Sequence, residues 1–197
     1  MSRSVALAAF DRLIGQAEEL ERVASALDVD DPVGAPIVRR SGFVLAVAAL
    51  DSFFRAIGEE RLRHAAACGG ASVGAVASYL ERVSSAELGT DARDSLIRYR
   101  LGFKTLVSPQ SVDRLIKAWG GDPEEVWFAV ALAEGSRPDR VRREIDLIND
   151  RRNQIAHEGD WDAAQFGFRR MTTIHLTDCT AALRAHANAF DEVLAST

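Results

Sequence analysis

Apolar residues recur along this chain at alternating steps of three and four, a spacing that leaves helix as the backbone for most of its length. Ala6, Phe10, Leu13, Ala17, Leu20, Ala24 and Leu27 form the first such stripe. With about 3.6 residues per turn, those side chains share one face. Asp28 to Pro36 interrupts the stripe with Asp31-Pro32 and Gly34-Ala35-Pro36. A second helix then carries Phe43, Val44, Leu45, Val47, Leu50, Phe53, Phe54 and Ile57 on more than one face, the pattern of a central buried helix. It runs to about Ala67 and stops at Cys68-Gly69-Gly70. Alternating runs flanked by Asn-Gly or Asp-Gly are missing, so no strand is expected.

Residues 71–135 are less regular. Short helices are predicted near 72–82, 91–99, 109–119 and 123–134, with breaks at Gly89, at Ser108-Pro109 and at Gly120-Gly121-Asp122-Pro123. The last two breaks put proline where a helix starts. A long helix is predicted from near Pro138, with Ser136 as its N-cap, to Gly159 as the residue that ends it. A final helix is predicted from Asp160 or Trp161, with the stripe Thr172, Leu176, Cys179, Leu183, His186, Phe190 and Val193. The fold expected is all-α, a single domain over 1–197. Four long helices form a bundle, and 71–135 is a helical insertion between the second and third.

Composition narrows the function. A hydrophobic fraction of 47% and a charged fraction of 27% describe a chain that can bury a core. A net charge of −5 and a pI near 5.4 exclude a general nucleic-acid coat protein, so any RNA handling has to be local. The longest apolar run, Phe43 to Leu50, is too short for a bilayer, and the N-terminus shows no apolar signal core. The expectation is a cytoplasmic protein with no membrane contact. Cys68 and Cys179 have no metal-ligand spacing and read as buried thiols in a reducing compartment. His64, His175 and His186 lack ligand spacing too and read as structural or surface residues, so no metal or cofactor is expected.

The chemistry concentrates near the end of the penultimate helix. Its core positions step through Val141, Ile145 and Ile148 to Arg152 and then Ile155, so an arginine falls where an apolar residue is due. Either Arg152 is buried with an anionic partner, or it reaches water past the helix end. Asn153 and His157 lie one turn apart on one face, where Asn153 can fix the imidazole tautomer. Arg152 and His157 diverge by about 140° on a regular helix. They can meet on one ligand only if the helix end is distorted or a second copy faces the first. Asp51 sits inside the apolar second helix. It either orients Arg152 or His157, or faces the insertion partly exposed. Arg137, Arg140, Arg142 and Arg143 read as a solvated face with i, i+4 pairs. Trp161 reads as packed against the bundle rather than as a base-stacking residue.

Arg151-Arg152-Asn153-Gln154-Ile155-Ala156-His157 resembles the Arg-polar-x-x-x-His signature of the HEPN superfamily. Ala48-Ala49-Leu50-Asp51-Ser52-Phe53-Phe54, and the stretch from Phe103-Lys104-Thr105-Leu106 to Trp119-Gly120, are similar to its RiboL-PSP-HEPN branch. The resemblance implies Arg152 as catalytic arginine, Asn153 as its polar residue and His157 as catalytic histidine. Arg151 is the alternative arginine, and Asp51 a supporting residue. It further implies a homodimeric, metal-independent endoribonuclease that leaves 2′,3′-cyclic phosphate ends. Such a protein acts on RNA as a toxin or phage-defence effector and has a neutralising protein partner. A non-catalytic module binding RNA, a nucleotide or a protein is the alternative. The sequence departs from HEPN toxins that carry a modifiable tyrosine after the histidine, because Glu158, Gly159 and Asp160 follow His157.

Overall fold

The computed structural model describes residues 3–28, 31 and 33–195. Eight α-helices occupy them: α1 (Val5–Leu27), α2 (Gly34–Cys68), α3 (Ala71–Leu80), α4 (Arg93–Leu101), α5 (Pro109–Ala118), α6 (Pro123–Ala133), α7 (Pro138–Glu158) and α8 (Thr173–Ala195). A single 3-10 turn at Glu87–Gly89 precedes α4. Two short strands, β1 (Trp161–Asp162) and β2 (Gly167–Phe168), pair antiparallel with Trp161 opposite Phe168.

Helix α1 starts at Ser4, whose hydroxyl accepts the Leu7 N–H at 3.0 Å. It turns back into α2, and the two pack along their length. Gly42 lets both α8 and α1 come close to α2: a Cβ there would meet Leu176 Cδ2 of α8 at 2.7 Å and Ala17 O of α1 at 3.4 Å. Buried Arg39 clamps the turn. Its Nε donates to both oxygens of Glu21 at 3.1 Å, and its Nη atoms donate to Asp28 at 2.8 and 2.6 Å. The Asp28 partner raises the Arg39 pKa against the opposing effect of burial.

Helix α2 is central. It contacts α1, α3, α4, α5, α7 and α8, which is why its apolar residues encircle it. By length and composition it could cross a bilayer. More than half of its apolar window is buried within the protein, as in the core helix of a helical domain. Phe10, Phe53, Phe54, Phe190 and Trp127 form a chain of edge-to-face rings with centroids 4.9–6.0 Å apart.

The segment 71–135 belongs to this same core. Val76, Leu80, Leu88, Ile97, Leu115 and Trp127 join one hydrophobic cluster with the long helices. Helix α6 packs on both α7 and α8, which touch one another only slightly. Ser108 and Ser111 form a reciprocal capping box around Pro109, and Asp122 caps α6 ahead of Pro123.

Four expectations need correction, the first being the absence of strands, which β1 and β2 overturn. Ser136 does not cap α7: Arg137 occupies that position, and the Ser136 N–H closes the end of α6 on Ala131 O at 2.8 Å. The last helix begins at Thr173 rather than at Asp160 or Trp161. A hairpin intervenes, turned by Asp162, whose Oδ1 accepts the N–H groups of Ala164 and Gln165. Cys68 is exposed where α2 outruns the core, whereas Cys179 is buried.

Candidate functional site

Helix α7 is α-helical through Glu158 and ends on Gly159 at φ +63°, with the Asp160 N–H bonded to Gln154 O at 3.0 Å. That ending keeps the motif regular. Arg152 and His157 therefore point about 140° apart. Val141 and Ile145 define the buried face of α7. Arg152 lies along it and is only partly buried. Its Nη1 donates to Asn153 Oδ1 at 2.9 Å, and its Nε is buried without a hydrogen bond. No carboxylate pairs with it among the described residues. The guanidinium thus keeps donors for an anion. His157 is exposed on the outer side, with no partner among the described residues.

Asn153 turns its carbonyl oxygen to Arg152 and not to His157. A hydrogen bond from a charged donor is stronger than one from a neutral imidazole, which accounts for the choice.

Arg151 has a different situation. Asp160 is fully buried, and Arg151 Nη1 lies 2.5 Å from its Oδ1. Arg40 Nε donates to Asp160 Oδ2 at 2.6 Å, and Arg151 Nη2 donates to the same oxygen at 3.0 Å. The peptides around it complete the cluster: Arg169 N–H to Asp160 O at 2.9 Å, Arg40 Nη2 to Arg169 O at 2.7 Å and Arg151 Nη2 to Arg170 O at 3.3 Å. Burial lowers the Arg151 pKa, Asp160 opposes it, and the nearby Arg169 and Arg40 charges add to the lowering. Arg151 thus anchors the helix end to α2 and to the hairpin.

Beside this cluster lies a groove of about 670 Å³, lined among others by Pro36, Ile37, Arg40, Phe168, Arg169 and Arg170. Trp161 and Phe168 stand edge to face at 5.4 Å, and the Arg40 guanidinium lies 5.3 Å from the Phe168 ring centroid. Trp161 is on this projecting hairpin and not against the bundle, because the chain leaves α7 in a left-handed turn at Gly159 and Asp160.

Asp51 is spoken for elsewhere. It pairs with Arg55 at 2.5 Å and accepts the Leu106 N–H at 2.6 Å, holding the loop ahead of α5. His186 is buried with Nδ1 2.7 Å from Glu134 Oε1 and Nε2 3.6 Å from a Glu144 oxygen. Arg142 bridges Asp113 and Glu124 across α5, α6 and α7 instead of pairing along its own helix. Among the described residues, no three His, Cys, Asp or Glu side chains are grouped so as to hold a metal ion. Asp160, Arg40, Arg169 and Arg170 escaped the sequence reading. Their only trace in it is an Asp directly after the terminating glycine and two Arg-Arg pairs.

The chain matches no family model, no curated protein and no solved structure.

Proposed function

We propose that this protein is a metal-independent endoribonuclease of the HEPN type, working as a homodimer in the cytoplasm. One observation carries the reading. An arginine without a carboxylate partner and an accessible histidine stand in the motif at the end of α7. The competing arginine, Arg151, is committed to Asp160, which leaves Arg152 for the phosphate.

The chemistry needs two imidazoles. The His157 imidazole takes the proton from the 2′-hydroxyl, and the 2′-oxygen attacks phosphorus. The 5′-oxygen leaves with a proton from the partner subunit's His157, so a 2′,3′-cyclic phosphate and a 5′-hydroxyl result. Arg152 offsets charge on the phosphate oxygens in the transition state. The divergence of Arg152 and His157 along one regular helix supports a second copy. Leu147 and Ile174, exposed beside a groove of about 390 Å³ between α7 and α8, offer it an apolar face. Cutting cellular RNA harms the host cell, so a toxin or phage-defence role with a neutralising partner belongs to the same proposal.

The test is incubation of mixed cellular RNA with excess chelator. Wild type should cut and leave cyclic phosphate ends, and His157→Ala should not. Adding His157→Ala protein to a fixed amount of wild type, after subunit exchange, tests the dimer. An equal amount should reduce the rate to about half, because mixed dimers lack one imidazole. An unchanged rate with exchange confirmed refutes the two-histidine scheme. A failure of wild type to cut, with phosphate still bound through Arg152, moves the protein to the non-catalytic RNA-binding reading.

A further inference from the structure

We propose that the hairpin from Trp161 to Phe168, with the arginines around Asp160, is a binding platform for single-stranded RNA. The inference takes from the preceding reading that RNA is the ligand, and it adds which form of RNA and which surface.

Exposure of aromatic rings is the first observation. Trp161 is 44% exposed, Phe166 84% and Phe168 66%, within eight residues. Rings of this size ordinarily serve a core, and apolar side chains left together in water mark a contact surface. Phe166 is the extreme case. It sits at the hairpin turn with φ +50°, a conformation that glycine or asparagine adopts at lower cost. A bulky ring held there and turned to solvent contributes nothing to the folded chain. Strain of this kind is retained where the side chain serves a ligand.

Charge is the second observation. The whole protein carries a net charge of −5. Around the hairpin the sign reverses: Arg40, Arg151, Arg169 and Arg170 stand against the carboxylates of Asp160, Glu158 and the turn-capping Asp162, and Asp28 across the groove is held by Arg39. The Asp160 carboxylate balances only one of its two arginines, while Arg170 is exposed and unpaired among the described residues. An anionic occupant is what this surface complements.

The two observations together choose the ligand. Alternating aromatic faces and guanidinium groups bind a strand whose phosphates and unstacked bases are both accessible. A duplex hides its base faces, so a single strand fits and a paired one does not. The neighbouring groove of about 670 Å³ is within the size range that small organic ligands fill, enough to receive a base turned in from the strand. The exposed rings run from Trp161 and Phe168 at the hairpin base, with Phe168 on the wall of that groove, to Phe166 at the turn, a line along which a strand can thread.

The probe is a fluorescent single-stranded RNA oligonucleotide with 2′-O-methyl groups, which cannot be cleaved by attack of a 2′-hydroxyl. Its binding is read by anisotropy. Phe166→Ser and Phe168→Ser should each weaken binding by roughly one order of magnitude, the lower part of the range for a stacked base. Arg170→Ser should lower the slope of log Kd against log salt concentration by about 0.7. Phe128→Ser, which removes an equally exposed aromatic on α6, should change nothing. Thermal unfolding of each variant confirms that the fold persists. Unchanged affinity in the hairpin variants overturns the proposal, as does preference for a duplex or for phosphatidylserine vesicles. Cleavage of natural RNA with the same KM in wild type and hairpin variants would refute the platform and leave the ribonuclease standing. Oligonucleotide binding lost in the hairpin variants, with no cleavage by wild type, would support the platform and refute the ribonuclease.

Discussion

Asp160→Asn is the perturbation that most directly examines how the end of α7 is held. Asparagine is nearly the same size as aspartate and tolerates the left-handed φ of +62° found at this position, so the change removes charge with little conformational cost. What is left is two guanidinium groups facing one amide. The Arg40 and Arg151 side chains are 13% and 20% exposed. Removing one partner of a fully buried ion pair costs about 3–5 kcal/mol, and partial access to water reduces this to about 2–4 kcal/mol here. Urea denaturation followed by far-ultraviolet circular dichroism should show the midpoint falling at constant slope. In thermal scans the loss should be on the order of 2–4 °C per kcal/mol for a chain of this size. In an Arg151→Met background the same Asp160→Asn change should cost at least about 1 kcal/mol less, because one stranded cation has been removed. A loss below about 1 kcal/mol in the wild-type background, or full additivity in the double variant, would refute the bridging role.

Other consequences follow from the packing and the buried groups. Gly42→Val places a branched side chain where even a Cβ meets Leu176 Cδ2 at 2.7 Å and Ala17 O at 3.4 Å. It should cost about 2 kcal/mol or more by denaturation, and a neutral result would contradict the close packing of α8 and α1 on α2 at Gly42. Burial pushes the Cys179 thiol from its ordinary 9.0 up to about 12. Its neutral form therefore contributes stability that is fully present below pH 9 and lost as pH rises toward 12, at on the order of 1.4 kcal/mol per pH unit. Cys179→Ala should flatten that alkaline arm, and an unchanged arm assigns it elsewhere. Asp51→Ala strands the Leu106 N–H and should destabilise by about 1–3 kcal/mol. With folded protein, its pH–rate profile for the proposed RNA cleavage should match wild type, whereas a displaced profile would return Asp51 to the site.

Helices were legible because periodicity and punctuation are local. The Ser108-Pro109 and Asp122-Pro123 starts fall at α5 and α6, and Gly159 ends α7 as expected. The hairpin was not legible, because each strand is two residues long and its turn depends on one side chain, Asp162. Too few residues alternate there to register a pattern. Long-range polar contacts were equally hidden. Arg40 and Asp160 are 120 residues apart, and nothing in either neighbourhood names the other. The motif itself was legible in position but not in its internal bonding, since Asn153 had two charged or titratable neighbours to choose from and took Arg152.

Asp160 explains how a regular helix end and an exposed hairpin come to sit in one place. A buried carboxylate needs close cations to offset its desolvation. Arg40 and Arg151 supply them from α2 and α7. Its backbone carbonyl takes the Arg169 N–H, so the same residue also closes the base of the hairpin. The three elements are therefore fixed to one another through a single side chain and its peptide. Two things follow for the site. Arg151 is used up structurally, which divides the adjacent arginines into one that holds the protein and one that still has donors to offer. And because two guanidinium groups share one carboxylate, the cluster keeps a net positive charge in an acidic protein. Loosening Asp160 would consequently affect stability and any anion bound at the hairpin together, whereas loss of His157 leaves both intact and removes only the imidazole.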